Sequence, residues 1–125
     1  MPSVKHFTPK EATQTLPLVK KIVEDILLAG KSIRELSVKI GRHAEKNPEV
    51  VRLMDGLEEL FEELEALGCS YKDWNFSVGL VDFPAVIDNE EVFLCWRSDE
   101  DSLKYYHDPE SGFAGRKLIP ESYFS

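Results

Sequence analysis

Cysteine is scarce in this 125-residue chain: Cys69 and Cys95 stand far apart, with neither a CxxC pair nor a histidine-rich neighbourhood. A disulfide-stapled scaffold is thereby excluded, and the expectation is two reduced thiols in the cytoplasm. The three histidines, His6, His43 and His107, show no HxH or HExxH spacing. No metal-ligand set and no cofactor is therefore read from the sequence. Long hydrophobic runs are also missing. The longest aliphatic cluster is Ile26-Leu27-Leu28-Ala29, far short of the roughly 20 apolar residues that span a bilayer. The opening Met1-Pro2-Ser3-Val4-Lys5-His6 has no apolar stretch and no small-residue cleavage site, which argues against secretion. Internal repeats and low-complexity segments are absent.

Positive charge is in deficit. The net charge is −8, with residues 1–46 carrying +4, residues 47–68 carrying −6 and residues 69–125 carrying −6. Such a surface repels phosphate backbones, so neither nucleic acid nor an anionic membrane is an expected partner. What remains, at 42% hydrophobic and 30% charged residues, is the composition of one globular domain spanning residues 1–125.

Two helices are legible. Thr8-Pro9-Lys10-Glu11 combines an N-cap threonine, proline at the first helical position and glutamate to close a capping box. Pro17 predicts a break after a short first turn or two. Beyond it Val19, Ile22, Ile26, Ala29, Ile33, Leu36 and Ile40 step by 3 and 4 alternately, a coiled-coil-like seam. A helix from Leu16 to about Arg42 would be roughly 40 Å long. Gly30 is either a tolerated weak point or a place of close approach. Asn47-Pro48-Glu49 opens the next helix, whose seam of Val50, Leu53, Leu57, Leu60, Leu64 and Leu67 ends at Gly68. The two helices together read as an antiparallel helical hairpin, about residues 9–68. Leu27, Met54 and Phe61 widen its apolar stripe. The acidic row Glu58, Glu59, Glu62, Glu63 and Glu65 reads as a solvated face that meets lysines of the neighbouring helix.

After Gly68 the period changes to two. Cys69 to Lys72 reads as a short strand, Asp73-Trp74-Asn75 as a turn, and Val78–Ile87, Glu91–Arg97 and Leu103–His107 as antiparallel strands. The fold class is α+β, a long helical hairpin packed on a small antiparallel sheet of three or four strands. If the first strand pair turns on Asn89-Glu90, Ile87, Ala85, Phe83, Val92, Leu94 and Trp96 share the face toward the helices, and Asp82 lies across from Arg97. If it turns on Asp88-Asn89 the same face survives, but Asp82 meets Cys95.

The chemistry-bearing residues cluster late. Asp82 and Arg97 form either an ion pair that fixes register or an acceptor and an anion clamp. His107, after Tyr105-Tyr106, is a strand-end polar residue, a general base or a metal ligand. Gly112-Phe113-Ala114-Gly115-Arg116 is either a tight turn that buries Phe113 and pairs Arg116 with a carboxylate, or a loop holding an anion. The candidate ligand-binding set is Asp82, Trp96, Arg97, His107 and Arg116.

Phe7-Thr8 with Glu11-Ala12, Leu16-Pro17-Leu18-Val19, Gly79 to Ala85, Leu94-Cys95-Trp96-Arg97, Tyr105-Tyr106-His107 and Gly112 to Arg116 together resemble the bacterial family called domain of unknown function 2203. The resemblance runs through nearly the whole chain in order; it implies a small uncharacterised protein and brings no established active site with it. The expected function is that of a cytoplasmic interaction or oligomerisation module, a homodimer through the helical hairpin. The alternative is a protein or enzyme binding a small anionic ligand with the Asp/Arg/His set.

Overall fold

The computed structural model describes residues 5–73 and 76–125. Two helices, α1 (Pro9–Ile40) and α2 (Pro48–Leu67), precede five strands, β1 (Ser70–Tyr71), β2 (Leu80–Ile87), β3 (Glu90–Arg97), β4 (Tyr105–His107) and β5 (Lys117–Leu118). The strands form one antiparallel sheet in the order β1-β2-β3-β4-β5. The α+β class stands, with five strands in place of the expected three or four. The additional strand, β5, is a two-residue edge piece, and an element that short has no alternation to read in sequence. Of the expected Asp73-Trp74-Asn75 turn, Trp74 and Asn75 lie outside the described residues.

α1 starts as its capping box dictates: the Glu11 backbone N–H donates to Thr8 Oγ1 and the Thr8 N–H to Glu11 Oε1, each at 3.0 Å. Phe7, just before the cap, is buried, donates its N–H to the Pro84 carbonyl at 2.7 Å and packs edge-on against Phe83 at 5.2 Å. The helix is thus stapled to β2 at its first residue.

The expected break at Pro17 does not occur, and α1 runs through it unbroken. Proline forfeits one backbone hydrogen bond, at a cost of about 3 kcal/mol. Ala12, Leu16, Val19, Val23 and Ile26 are all buried around it, and each large aliphatic side chain so placed contributes about 1.5–3 kcal/mol. Packing on both sides of the proline holds the helix together. Gly30 resolves as a close approach, because a Cβ there would stand 2.7 Å from Cγ of Phe76.

α1 and α2 pack on one another through the seam positions and share a core with the sheet. Asn47 caps α2 with its side chain, accepting from the Glu49 and Val50 N–H groups, and Gly68 closes it at φ 99°. The glutamates of the acidic row are exposed, whereas Lys20 binds the Asp101 carbonyl, Lys21 pairs with Asp25 and Lys31 with Glu35. The row is therefore solvated without the expected lysine partners. Among the described residues no helix is long and apolar enough to cross a membrane.

The register of β2 with β3 decides the rest. Ile87 faces Glu90, so the turn is Asp88-Asn89, with φ of 53° and 66°. Two central residues at positive φ define the type I′ turn, whose twist matches that of the strands it joins, and Asp and Asn tolerate this region well. Asp82 consequently lies opposite Cys95, and Arg97 opposite Leu80. The Asp82–Arg97 pairing of the first register is overturned. The apolar face survives: Val81, Phe83, Ala85 and Ile87 of β2 and Val92, Leu94 and Trp96 of β3 are all buried toward the helices.

Asn89→Val places a β-branched residue at φ 66° and is expected to lower stability by about 1–2 kcal/mol, while Asn89→Gly leaves it unchanged or raised. Urea unfolding of the three proteins checks this.

Candidate functional site

The period of a strand sends alternate side chains to opposite faces. With Asp82 paired to Cys95 and Phe93 paired to His107, three polar side chains from three strands meet on the face turned away from the helices. Asp82, Cys95 and His107 are all buried, and their ligand atoms lie within 4.8 Å of one another.

The buried face is closed by the C-terminal loop. A concavity of about 310 Å³ opens above the three groups, bounded by Lys72, Leu80, Phe93, Pro109, Gly112 and Phe113.

Hydrogen bonds fix the histidine. Its Nδ1 lies 2.7 Å from the Asp108 carbonyl oxygen. A carbonyl only accepts, so Nδ1 carries a proton and donates it there. Nε2 then faces Asp82 Oδ1 at 3.3 Å, and two electron-rich atoms confront each other unless a cation lies between them. A proton meets that requirement, and so does a metal ion. Phe93 packs against the imidazole at 5.7 Å and adds no charge.

Burial acts on the other two groups. It pushes the Asp82 carboxyl up from the ordinary carboxylate range, with the nearby His107 acting the other way. It also pushes the Cys95 thiol up to about 12, helped by the Asp82 charge and opposed by Arg116. At neutral pH Cys95 is therefore a neutral thiol.

Arg116 is the remaining close neighbour. Its Nη1 lies 3.9 Å from Cys95 Sγ and 3.2 Å from Glu100 Oε1, and its Nη2 pairs with the other Glu100 oxygen. The guanidinium carbon sits 3.9 Å from the Tyr105 ring centroid and 4.5 Å from that of Phe113. Packed between two rings and neutralised by Glu100, Arg116 braces the site.

The predicted set thus divides. Asp82 and His107 come together, and Arg116 reaches them through Cys95. Arg97 sits on the same face, but its Nε pairs with Asp99 at 3.1 Å and its guanidinium faces Phe113 at 5.6 Å, away from Asp82. Trp96 points to the opposite face, buried at 2% exposure, with its indole N–H donating to the Glu100 carbonyl at 2.9 Å. It serves the core. Phe113, expected in the core under the tight-turn reading, is 43% exposed and walls the concavity, while Arg116 does pair with a carboxylate.

Two members went unrecognised in sequence. Cys95 was visible only through the alternative turn, and the Asp88-Asn89 pair, both types at home at positive φ, was the signal for it. Lys72 had no signal at all.

The raised Asp82 carboxyl makes a stability prediction. The folded state holds that proton more tightly than the unfolded chain, so the residue's contribution is complete below the unfolded carboxylate range and is lost as pH rises through the higher folded value. Asp82→Asn is neutral at every pH, and its amide N–H donates to Nε2. In EDTA the variant is expected to match the wild type in acid and to exceed it at neutral pH by on the order of 1 kcal/mol, as read from urea unfolding across pH 4 to 8.

No curated protein and no solved structure matches the chain. A family model described as "Uncharacterized conserved protein (DUF2203)" matches residues 5–119, nearly the full length. The segments on which the resemblance rests supply the site: Asp82 from VDFPA, Cys95 from LCWR, His107 from YYH and Arg116 from GFAGR. The chain belongs to the DUF2203 family of uncharacterized conserved proteins.

Proposed function

We propose that this protein binds a divalent transition-metal ion of the zinc class through Asp82 Oδ1, Cys95 Sγ and His107 Nε2, leaving a fourth position open to the concavity. The observation that carries the reading is the His107 geometry: Nδ1 is committed to the Asp108 carbonyl and Nε2 is aimed at a carboxylate. A ligating histidine characteristically donates its second ring N–H to a carbonyl or carboxylate, which fixes the tautomer.

The spacing agrees. Two ligands about 2.0–2.1 Å from a tetrahedral ion stand about 3.3 Å apart, and the Nε2 to Oδ1 separation is 3.3 Å. One nitrogen, one sulfur and one oxygen donor suit zinc better than magnesium or calcium, which prefer oxygen alone. Three protein ligands with an open position are the arrangement in which zinc polarises water or a ligand oxygen. A reducing compartment such as the cytoplasm belongs to the same reading, because Cys95 must remain a free thiol, as it is here.

Dialysis of EDTA-treated protein against micromolar zinc, followed by elemental analysis, tests it. One zinc per chain is expected, with release of up to two protons, one as Cys95 becomes a thiolate and one from between Asp82 and His107. Cys95→Ser and His107→Ala are each expected to weaken binding at least tenfold. Wild-type protein that takes up no stoichiometric zinc overturns the reading.

The interaction-module reading finds support in a different observation. Val51 and Met54 are 42% and 49% exposed on α2, three apart and so on one flank of the helix. A homodimer through this flank buries them. Leu27 and Phe61, expected with Met54 to widen the apolar stripe of the hairpin, pack within the chain, Phe61 at 5.5 Å from Tyr71 and 6.4 Å from Phe76. Sedimentation velocity is expected to show a concentration-dependent dimer that Val51→Asp with Met54→Asp abolishes; a wild type that stays monomeric overturns it.

A further inference from the structure

We infer that the open position above Asp82, Cys95 and His107 takes a small monocarboxylate, bound by one oxygen to the metal, its charge matched by Lys72 and its apolar body resting against Phe93 and Phe113. The inference rests on the metal-binding reading and adds to it a ligand class and a further binding residue.

Charge balance comes first. A divalent ion held by one carboxylate, one thiolate and one neutral imidazole has no net charge. Arg116 is cancelled by Glu100 and Arg97 by Asp99. Lys72 lines the concavity, its charge acts on Asp82, and it has no ion-pair partner among the described residues. The occupied site therefore carries one uncompensated positive charge. One negative charge on a ligand balances it, whereas a dianion leaves a surplus in an already acidic domain of net charge −8.

The walls set the rest of the ligand. Besides Lys72 and the ligating groups, the concavity is bounded by Leu80, Phe93, Pro109 and Phe113 with Gly112. Apart from the backbone and the groups below, those walls offer no hydrogen-bonding side chain. A polyhydroxylated or zwitterionic body would lose its water there without replacement. The volume of about 310 Å³ lies at the small end of ligand pockets, which run from about 300 to 1,000 Å³, and suits a body of about ten non-hydrogen atoms or fewer. A carboxylate on a compact apolar or aromatic frame meets all three conditions.

Cobalt(II) substitution reads out the fourth position directly, because its visible bands report coordination number and ligand exchange. The cobalt-loaded protein is titrated with benzoate, acetate and inorganic phosphate. The expected result is a saturable band shift with benzoate, at least tenfold tighter than with acetate, and little response to phosphate. Lys72→Met keeps the aliphatic stem, is exposed and removes only the charge. It is expected to leave the ligand-free cobalt spectrum intact while weakening benzoate at least tenfold, and Lys72→Arg restores much of that loss. If cobalt loads but no anion shifts its bands, or phosphate binds tighter than benzoate, or Lys72→Met is without effect, the inference is overturned while the metal reading stands. If cobalt does not load, both fall together.

Discussion

A two-residue turn at Asp88-Asn89 holds both of its residues in the left-handed region, and the pairing of β2 with β3 follows from it. Strand pairing admits no intermediate positions: a slip by one residue would carry every side chain of the moving strand to the other face. In the observed register the apolar set Val81, Phe83, Ala85 and Ile87 turns toward the helices together with Val92, Leu94 and Trp96. The same register puts Asp82 against Cys95 on the far side. Core and site are thus fixed by one geometric choice. The hydroxyl of Tyr123 bonds the Asp88 carboxylate at 2.6 Å, so the last turn of the chain helps to hold it.

The two faces of the sheet have opposite physics. Toward the helices lies a continuous hydrocarbon core, closed at one end by Phe7 against Phe83 and crossed by a proline-bearing helix whose packing outweighs its missing hydrogen bond. On the other face, ionisable groups are buried under a loop instead of a helix. Burying a carboxylate, a thiol and an imidazole beside one another costs stability unless something positive is shared among them. A sheet built only for strength would place aliphatic side chains at those positions. Asp82, Cys95 and His107 stand where packing alone has no use for them, and that is the feature by which this face is distinguished from its other surfaces.

Much of the fold was legible because its signals are local. The capping box at Thr8, the N-cap at Asn47, the seam from Val19 to Leu36 and the glycine at position 68 each state their own structure within a few residues. Pro17 misled for the reverse reason: its effect was set by Ala12, Leu16 and Val19 packing on partners distant in sequence. β5 escaped because two residues carry no period. In the site, Asp82, His107 and Arg116 were visible as residue types interrupting strand patterning. Their grouping was not, since it depends on a register that two competing turns described equally well for the apolar face. Only the polar face distinguishes those turns, and there Cys95 replaces Arg97 as the neighbour of Asp82. Trp96 stood in the candidate set as an aromatic neighbour although its own alternation put it on the apolar face, and there it stays in the core.

Arg116 touches more than one part of this arrangement. Its guanidinium lies over the ring of Phe113, which walls the concavity, and within 3.9 Å of the sulfur of Cys95, which floors it. Wall and floor are therefore mechanically joined. Any shift of Phe113 also moves the guanidinium beside the Cys95 sulfur, so the shape of the concavity and the surroundings of its buried thiol change together.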